Sequence, residues 1–293
     1  MNLGLLRDFF SSNEVRVGED FQLKLPYYFS LYEAFYHYFL TSRDVKESLG
    51  FYVNSKYWER ENLAFQLTGY NENLIFTILN FHRFFEILIK DILGQLNPKL
   101  KLKFPTKTRH TVEYINDNIE LNEINTIEAA ETLKRFKEVF KYYNKESREY
   151  KEVLIHYEFL NDATFYNTFE ILTEWRNKIT HNGITLMNIF ALDYLVSQRI
   201  VEVIRKVVNV HCIIYGIEKP FFFVTATNID IISEILSIQF TISDFNSRKQ
   251  DVSVSLLKLG HLKELGRASY NHNYHLRGNY SYYDPIYKDP VSR

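Results

Sequence analysis

A single cysteine, Cys212, serves all 293 residues, so no internal disulfide and no cysteine-built zinc module can staple this chain. Tryptophan and methionine occur twice each, proline six times and glycine ten times, a scarcity that excludes collagen-like and proline-rich architectures. Charge of one sign is missing as well, since 35 basic residues face 36 acidic ones and leave a formal net charge of −1. A polyanion therefore meets no global attractive field and has to be held by a local cluster. Long hydrophobic runs are also absent. The longest candidate, residues 200–217, is interrupted by Glu202, Arg205 and Lys206 and falls short of the roughly 20 clean residues of a membrane span. The opening stretch from Met1 to Asp8 sets an acid directly after a short apolar run and offers no small-residue cleavage site, unlike a secretory signal. The expectation is a cytoplasmic protein without a membrane partner.

What the chain has in abundance is rings: 22 Tyr and 24 Phe bring the aromatic share to 16%, enough to fill thick interfaces between helices. Periodicity divides the chain into four stretches. Residues 1–26 read as a β-hairpin, with Val15, Val17, Phe21, Leu23 and Leu25 alternating around Gly18-Glu19-Asp20. Residues 27–212 read as a helical bundle. Its first segment, Tyr27 to Leu40, is apolar nearly all round and belongs at the centre. Four stripes at helical spacing follow: Leu74, Ile78, Phe81, Phe85, Leu88 and Ile92; Ile127, Ala130, Leu133, Phe136 and Phe140; Phe165, Phe169, Leu172 and Ile179; and Leu186, Ile189, Val196, Ile200, Val203 and Val207. Asn97-Pro98 stops the first, and Asn182-Gly183 stops the third, which Asn161 and Asp162 are placed to cap. Residues 213–265 read as a small β-rich appendage with strands at 221–227, 238–242 and 252–256, and residues 266–293 as a polar, aromatic tail. The expected fold is mainly α, with a β appendage made from the N-terminal hairpin and the C-terminal strands.

The chemistry concentrates on the third stripe, in Glu174-Trp175-Arg176-Asn177-Lys178-Ile179-Thr180-His181-Asn182-Gly183. Arginine and histidine five apart on an unbroken helix point about 140° away from each other, so they converge within one chain only if the helix ends or distorts between them. Arg176-Asn177 followed by His181 resembles the R-x4-6-H signature of the HEPN superfamily (higher eukaryote and prokaryote nucleotide-binding domain). The resemblance covers about residues 70–212, and Phe85-Glu86 is similar to an aromatic–acid pair common in that superfamily. It implies a HEPN-like helical bundle and a metal-independent endoribonuclease, a toxin or antiviral defence effector, with an RNA substrate, a homodimeric site, an antitoxin or sensor protein as a further partner, and no cofactor. A subgroup of the superfamily carries a tyrosine two residues after the histidine, which a partner enzyme modifies; here that position is Gly183.

Residue chemistry agrees with such a role. Cleaving RNA without a metal needs a group that takes the 2′-hydroxyl proton and one that protonates the leaving 5′-oxygen, and His181 titrates nearest neutral pH. Arg176 supplies a planar, always-charged partner for the non-bridging phosphate oxygens. Asn177 and Lys178 are auxiliary candidates beside them, and Glu86 is a third. Lys101, Lys103, Lys107 and Arg109 form the basic cluster expected to hold the RNA backbone. His82 is the alternative second proton carrier. The competing expectation is a non-catalytic module that docks a nucleotide or a protein. Glu149-Tyr150-Lys151, which has the form of a metal-dependent nuclease motif, and His261, His272 and His275, three imidazoles that would suit a metal, are read as surface features.

Overall fold

The computed structural model describes residues 26–42, 68–103, 127–146, 148–182, 193–215, 229–238 and 250–276. Rings draw the first two helices together. Helix α1 (Pro26–Leu40) buries Tyr27, Tyr28, Leu31, Ala34, Phe35, Tyr38 and Phe39, and α2 (Thr68–Leu96) buries every member of its sequence stripe. Tyr27 meets Phe84 edge-on at 6.0 Å between centroids, Phe35 meets Phe81 at 5.3 Å and His37 stacks on Phe76 at 4.8 Å. Partners on α2 fall in number as those on α1 rise, so the two helices run antiparallel. Helix α2 stops at Leu96, where Asn97 accepts from the Lys99 amide and opens a 3₁₀ turn, Pro98–Lys101.

Helices α3 (Ala129–Glu146), α4 (Arg148–His156) and α5 (Ala163–Asn182) pack around this pair. Arg135 of α3 is buried; its Nη1 donates to the carbonyls of Leu100 and Leu102 and its Nε to Glu131, which ties α3 to the 3₁₀ turn. Phe85 meets Phe165 at 5.5 Å and His82 stacks on Phe169 at 5.4 Å, so α5 also runs antiparallel to α2. Residues 193–195 are helical and 196–200 widen into a π turn, in which the Val201 amide reaches the Val196 carbonyl five residues back. Helix α6 (Val201–Tyr215) follows, then α7 (Ile231–Ser237), capped by Asp230 on the Ser233 amide, and α8 (Gln250–Leu276). Among the described residues no helix is long and apolar enough to cross a membrane.

The protein is mainly α, and the described residues form no strand. The expected strand at 252–256 is corrected: these residues lie inside α8. Alternation over five residues is too short to outweigh a longer helical period, and the buried positions Leu259, Leu262, Lys263, Gly266 and Ser269 follow the three- and four-residue spacing of a helix. The same helix runs unbroken through 265–266, where the sequence suggested that a tail begins, and α6 continues past 212 to Tyr215. In the second stripe Ile127, Leu133, Phe136 and Phe140 are buried as expected, and Ala130 alone is exposed, with its neighbour Ala129 buried instead. The hairpin at 13–25, the strand at 221–227 and residues 239–242 lie outside the described residues.

One end of the core is polar. His211 is fully buried, with the Tyr28 hydroxyl 3.0 Å from Nδ1 and the Tyr157 hydroxyl 3.0 Å from Nε2. A neutral imidazole donates through one nitrogen and accepts through the other, so one tyrosine accepts and the other donates. Burial holds His211 neutral and pushes its pKa down to about 4 from 6.5. Between those values the unfolded chain binds more protons than the folded one, so stability falls as pH drops through the window. The loss is on the order of 3 kcal/mol for this residue. Thermal melts from pH 7 to pH 4 are expected to show that decline, and His211→Gln is expected to make it shallower, at a lower starting stability, leaving the share that buried His82 contributes.

Gly266 marks the closest approach between α8 and α1. A Cβ there would stand 2.6 Å from the Phe39 ring, which is buried and cannot retreat. At Gly94 an added Cβ would meet only the side chain of exposed Lys101, at 3.3 Å. Gly266→Ala is therefore expected to destabilise the protein by about 1–3 kcal/mol, and Gly94→Ala to leave it unchanged or up to about 1 kcal/mol more stable. Denaturant titration of the two variants distinguishes the sites.

Candidate functional site

Helix α5 carries the Arg–His motif along its last two turns. Its inner face sets Phe165, Phe169 and Leu172 into the core, with Trp175 and Ile179 half-buried beside them. Arg176, Asn177, Lys178, Thr180 and His181 are exposed. The helix is continuous through Asn182, so it neither ends nor distorts between Arg176 and His181. The two side chains consequently leave the helix about 140° apart, and a single copy does not bring them to one phosphate.

Local partners refine the expected roles. The Oδ1 of Asn177 accepts from Nη1 of Arg176 at 2.9 Å, so Asn177 orients the arginine rather than the histidine. The Thr180 hydroxyl donates to the Arg176 carbonyl at 2.9 Å, which ties down a carbonyl near the helix end. Lys178 pairs with Glu174 at 2.6 Å, and Glu170 takes Lys137 of α3 at 3.0 Å. His181 makes no hydrogen bond or ion pair among the described residues and stands in the last turn of the helix.

The inner edge of the motif faces α2. Glu86 is half-buried there, bonded to Lys90 at 2.6 Å, with its other oxygen 3.7 Å from Nδ1 of His82. That separation is too long for a hydrogen bond. His82 is 2% exposed, lies flat on Phe169, and keeps a buried Nε2 that bonds to nothing. Burial lowers its pKa to about 4; Glu86 works against the shift, and the charges of Arg176 and Lys90 work with it. Arg176 is therefore within electrostatic reach of His82, as its position seven residues after Phe169, two turns along the same helix face, requires. His82, Glu86 and Lys90 form one group along α2, and Arg176 reaches its His82 end only through its charge. Glu86→Lys90 at i, i+4 is legible in the sequence, whereas the ring contact between His82 and Phe169 carries no sequence signal beyond helical spacing.

The basic cluster is not part of this assembly. Lys101 and Lys103 are exposed on and just after the 3₁₀ turn beyond the C-terminal end of α2. Because α5 is antiparallel to α2, His181 lies toward the opposite end, roughly 40 Å away at 1.5 Å per residue. Lys107 and Arg109 lie outside the described residues. Among the described residues no group of three or more His, Cys, Asp or Glu stands close enough to hold a metal ion. Glu149 and Lys151 lie in α4, and His261 is exposed on α8, which also holds His272 and His275.

No protein family, characterised protein or solved structure compared with this chain matches it. The site is therefore read from its own chemistry.

Because Arg176 opposes protonation of His82 and Glu86 favours it, Arg176→Ala is expected to raise the His82 midpoint above about 4 and Glu86→Gln to lower it. A pH titration of the imidazole resonances by NMR checks both directions.

Proposed function

We propose that this chain is a metal-independent endoribonuclease of the HEPN type, working as a symmetric homodimer with Arg176 and His181 at the composite site. The observation that carries the reading is that both motif residues stand free of the core on an unbroken bundle helix, where neither has a packing role. Their 140° divergence fits a site shared between two copies better than one held within a copy. A two-fold axis beside α5 sets Arg176 of one protomer against His181 of its partner and provides two imidazoles, one on each side of the phosphate. His82 is a poor second proton carrier, since it is buried and neutral at pH 7.

In the proposed reaction one histidine takes the 2′-hydroxyl proton as that oxygen attacks phosphorus. The bond to the 5′-oxygen breaks, and the second histidine donates a proton to the departing oxygen. Arg176, held by Asn177, faces the non-bridging oxygens as their charge grows. The products are a 2′,3′-cyclic phosphate and a 5′-hydroxyl. Lys101 and Lys103 extend the track for RNA at a distance from the cut, and a toxin or defence role with a restraining partner protein is the setting this chemistry suits.

His181→Ala and Arg176→Ala are each expected to slow cleavage of mixed cellular RNA by about 10² to 10⁴. Both variants should keep wild-type stability within about 0.5 kcal/mol, because the residues are exposed. Cleavage is expected to persist in a chelator, and light scattering of the active protein to give twice the 35.1 kDa of one chain. Unchanged cleavage in either variant, or none by the wild type, would leave the non-catalytic binding module as the better reading.

A further inference from the structure

We infer that α8 is a latch whose docking on α1 is set by one buried ion pair and is felt at the π turn that opens α6. Lys263 lies in the middle of α8 and is fully buried; its Nζ donates to Asp193 Oδ1 at 2.5 Å and to the Thr41 hydroxyl at 3.0 Å, and it sits 4.3 Å from the centre of the Tyr38 ring. Asp193 is equally buried, three residues before the π turn, and its backbone carbonyl accepts from Ser197 within that turn. One ammonium thus joins the end of α1, the approach to α6 and α8.

Among its described side chains the rest of the α8 seat is thin, with Leu265 half-buried against the core. Of its described side chains only Leu259 and Leu262 are buried apolar groups, whereas α2 buries an aromatic or aliphatic side chain at nearly every turn. Gly266 lets α8 approach the Phe39 ring closely but contributes no side chain of its own. An element with few buried apolar contacts belongs to the least stable part of a fold and opens as a unit before the whole unfolds. A buried ion pair fixes register and partner rather than adding much net stability, and removing one member leaves a bare charge in the interior.

The opening should not stop at α8. Undocking withdraws the cation from Asp193 and leaves its buried carboxylate with only the Tyr38 hydroxyl beside it. The segment from Asp193 through the π turn then has a reason to rearrange. Helix α7 stands between the two elements: Glu234 is 4.0 Å from Lys258 of α8, and the carbonyl of Ile238 accepts from Gln198 in the π turn. The π turn also packs against α5, which carries the Arg–His motif. The latch itself is independent of whether that motif cleaves RNA.

Native-state hydrogen exchange tests it. In the wild type at low denaturant, residues 193–200 and 250–276 are expected to exchange together, faster than α2 and α5. Lys263→Met and Asp193→Leu should each speed both segments by about 10² to 10³ while α2 keeps its protection, and the double variant should return both close to wild type. Should either single variant fail to fold, the wild-type measurement decides alone. Exchange of the two segments at unrelated rates, or at the same rate as α2, would overturn the latch, as would a double variant no slower than the singles.

Discussion

The antiparallel seam between α1 and α2 is the contact on which the other packing depends. Tyr27, Phe35 and His37 on one helix meet Phe84, Phe81 and Phe76 on the other. Edge-on and offset rings fill such a seam well, because each quadrupole turns a positive rim to a negative face. With the seam closed, α2 still has apolar surface left over, and Phe85 and His82 on that surface receive α5 through Phe165 and Phe169. Arg176 therefore owes its place to rings two turns earlier in its own helix. The polar chemistry of the candidate site rests on an aromatic scaffold.

Polar groups inside that scaffold follow two different rules. His211 has both ring nitrogens matched to tyrosine hydroxyls, and Lys263 has a carboxylate, a hydroxyl and a ring face. These two are bound on every side that the structure provides. His82 is not, since Glu86 approaches only to 3.7 Å and Nε2 bonds to nothing. Burial stabilises the neutral ring in each histidine, but only at His82 do neighbouring charges on two helices pull in opposite directions. His82 therefore feels the charge of Arg176 from inside the core.

The stripes on α2 and α5 were legible because their buried residues are large, apolar and evenly spaced; each residue from Leu74 to Ile92 in the first stripe is buried as its spacing implies. Helix α8 was not legible. Its docked face holds Lys263, Gly266 and Ser269, residue types that carry no apolar period, so the short alternation at 252–256 is the stronger local pattern. The partner of Lys263 is 70 residues away in sequence, and nothing local announces it. At the motif, residue types were plain from the sequence while geometry was not. Asn182-Gly183 announces where the helix ends, but whether Arg176 and His181 converge turns on whether the helix stays regular up to that stop, which no residue there reveals. The distance between the motif and Lys101 likewise followed only once α5 was known to run against α2.

The π turn at 196–200 carries a final consequence. A single π turn amounts to one surplus residue threaded into an otherwise regular helix. Everything before it is rotated by about 100° relative to where an uninterrupted helix would have put it. Asp193 lies on the rotated side and the buried face of α6, with Val201, Ile204, Val207 and Val208, on the other. The direction of one carboxylate is therefore set by a count of residues rather than by the identity of any of them. A related chain shortened by one position here could keep every side chain named above and still turn its aspartate away from the lysine.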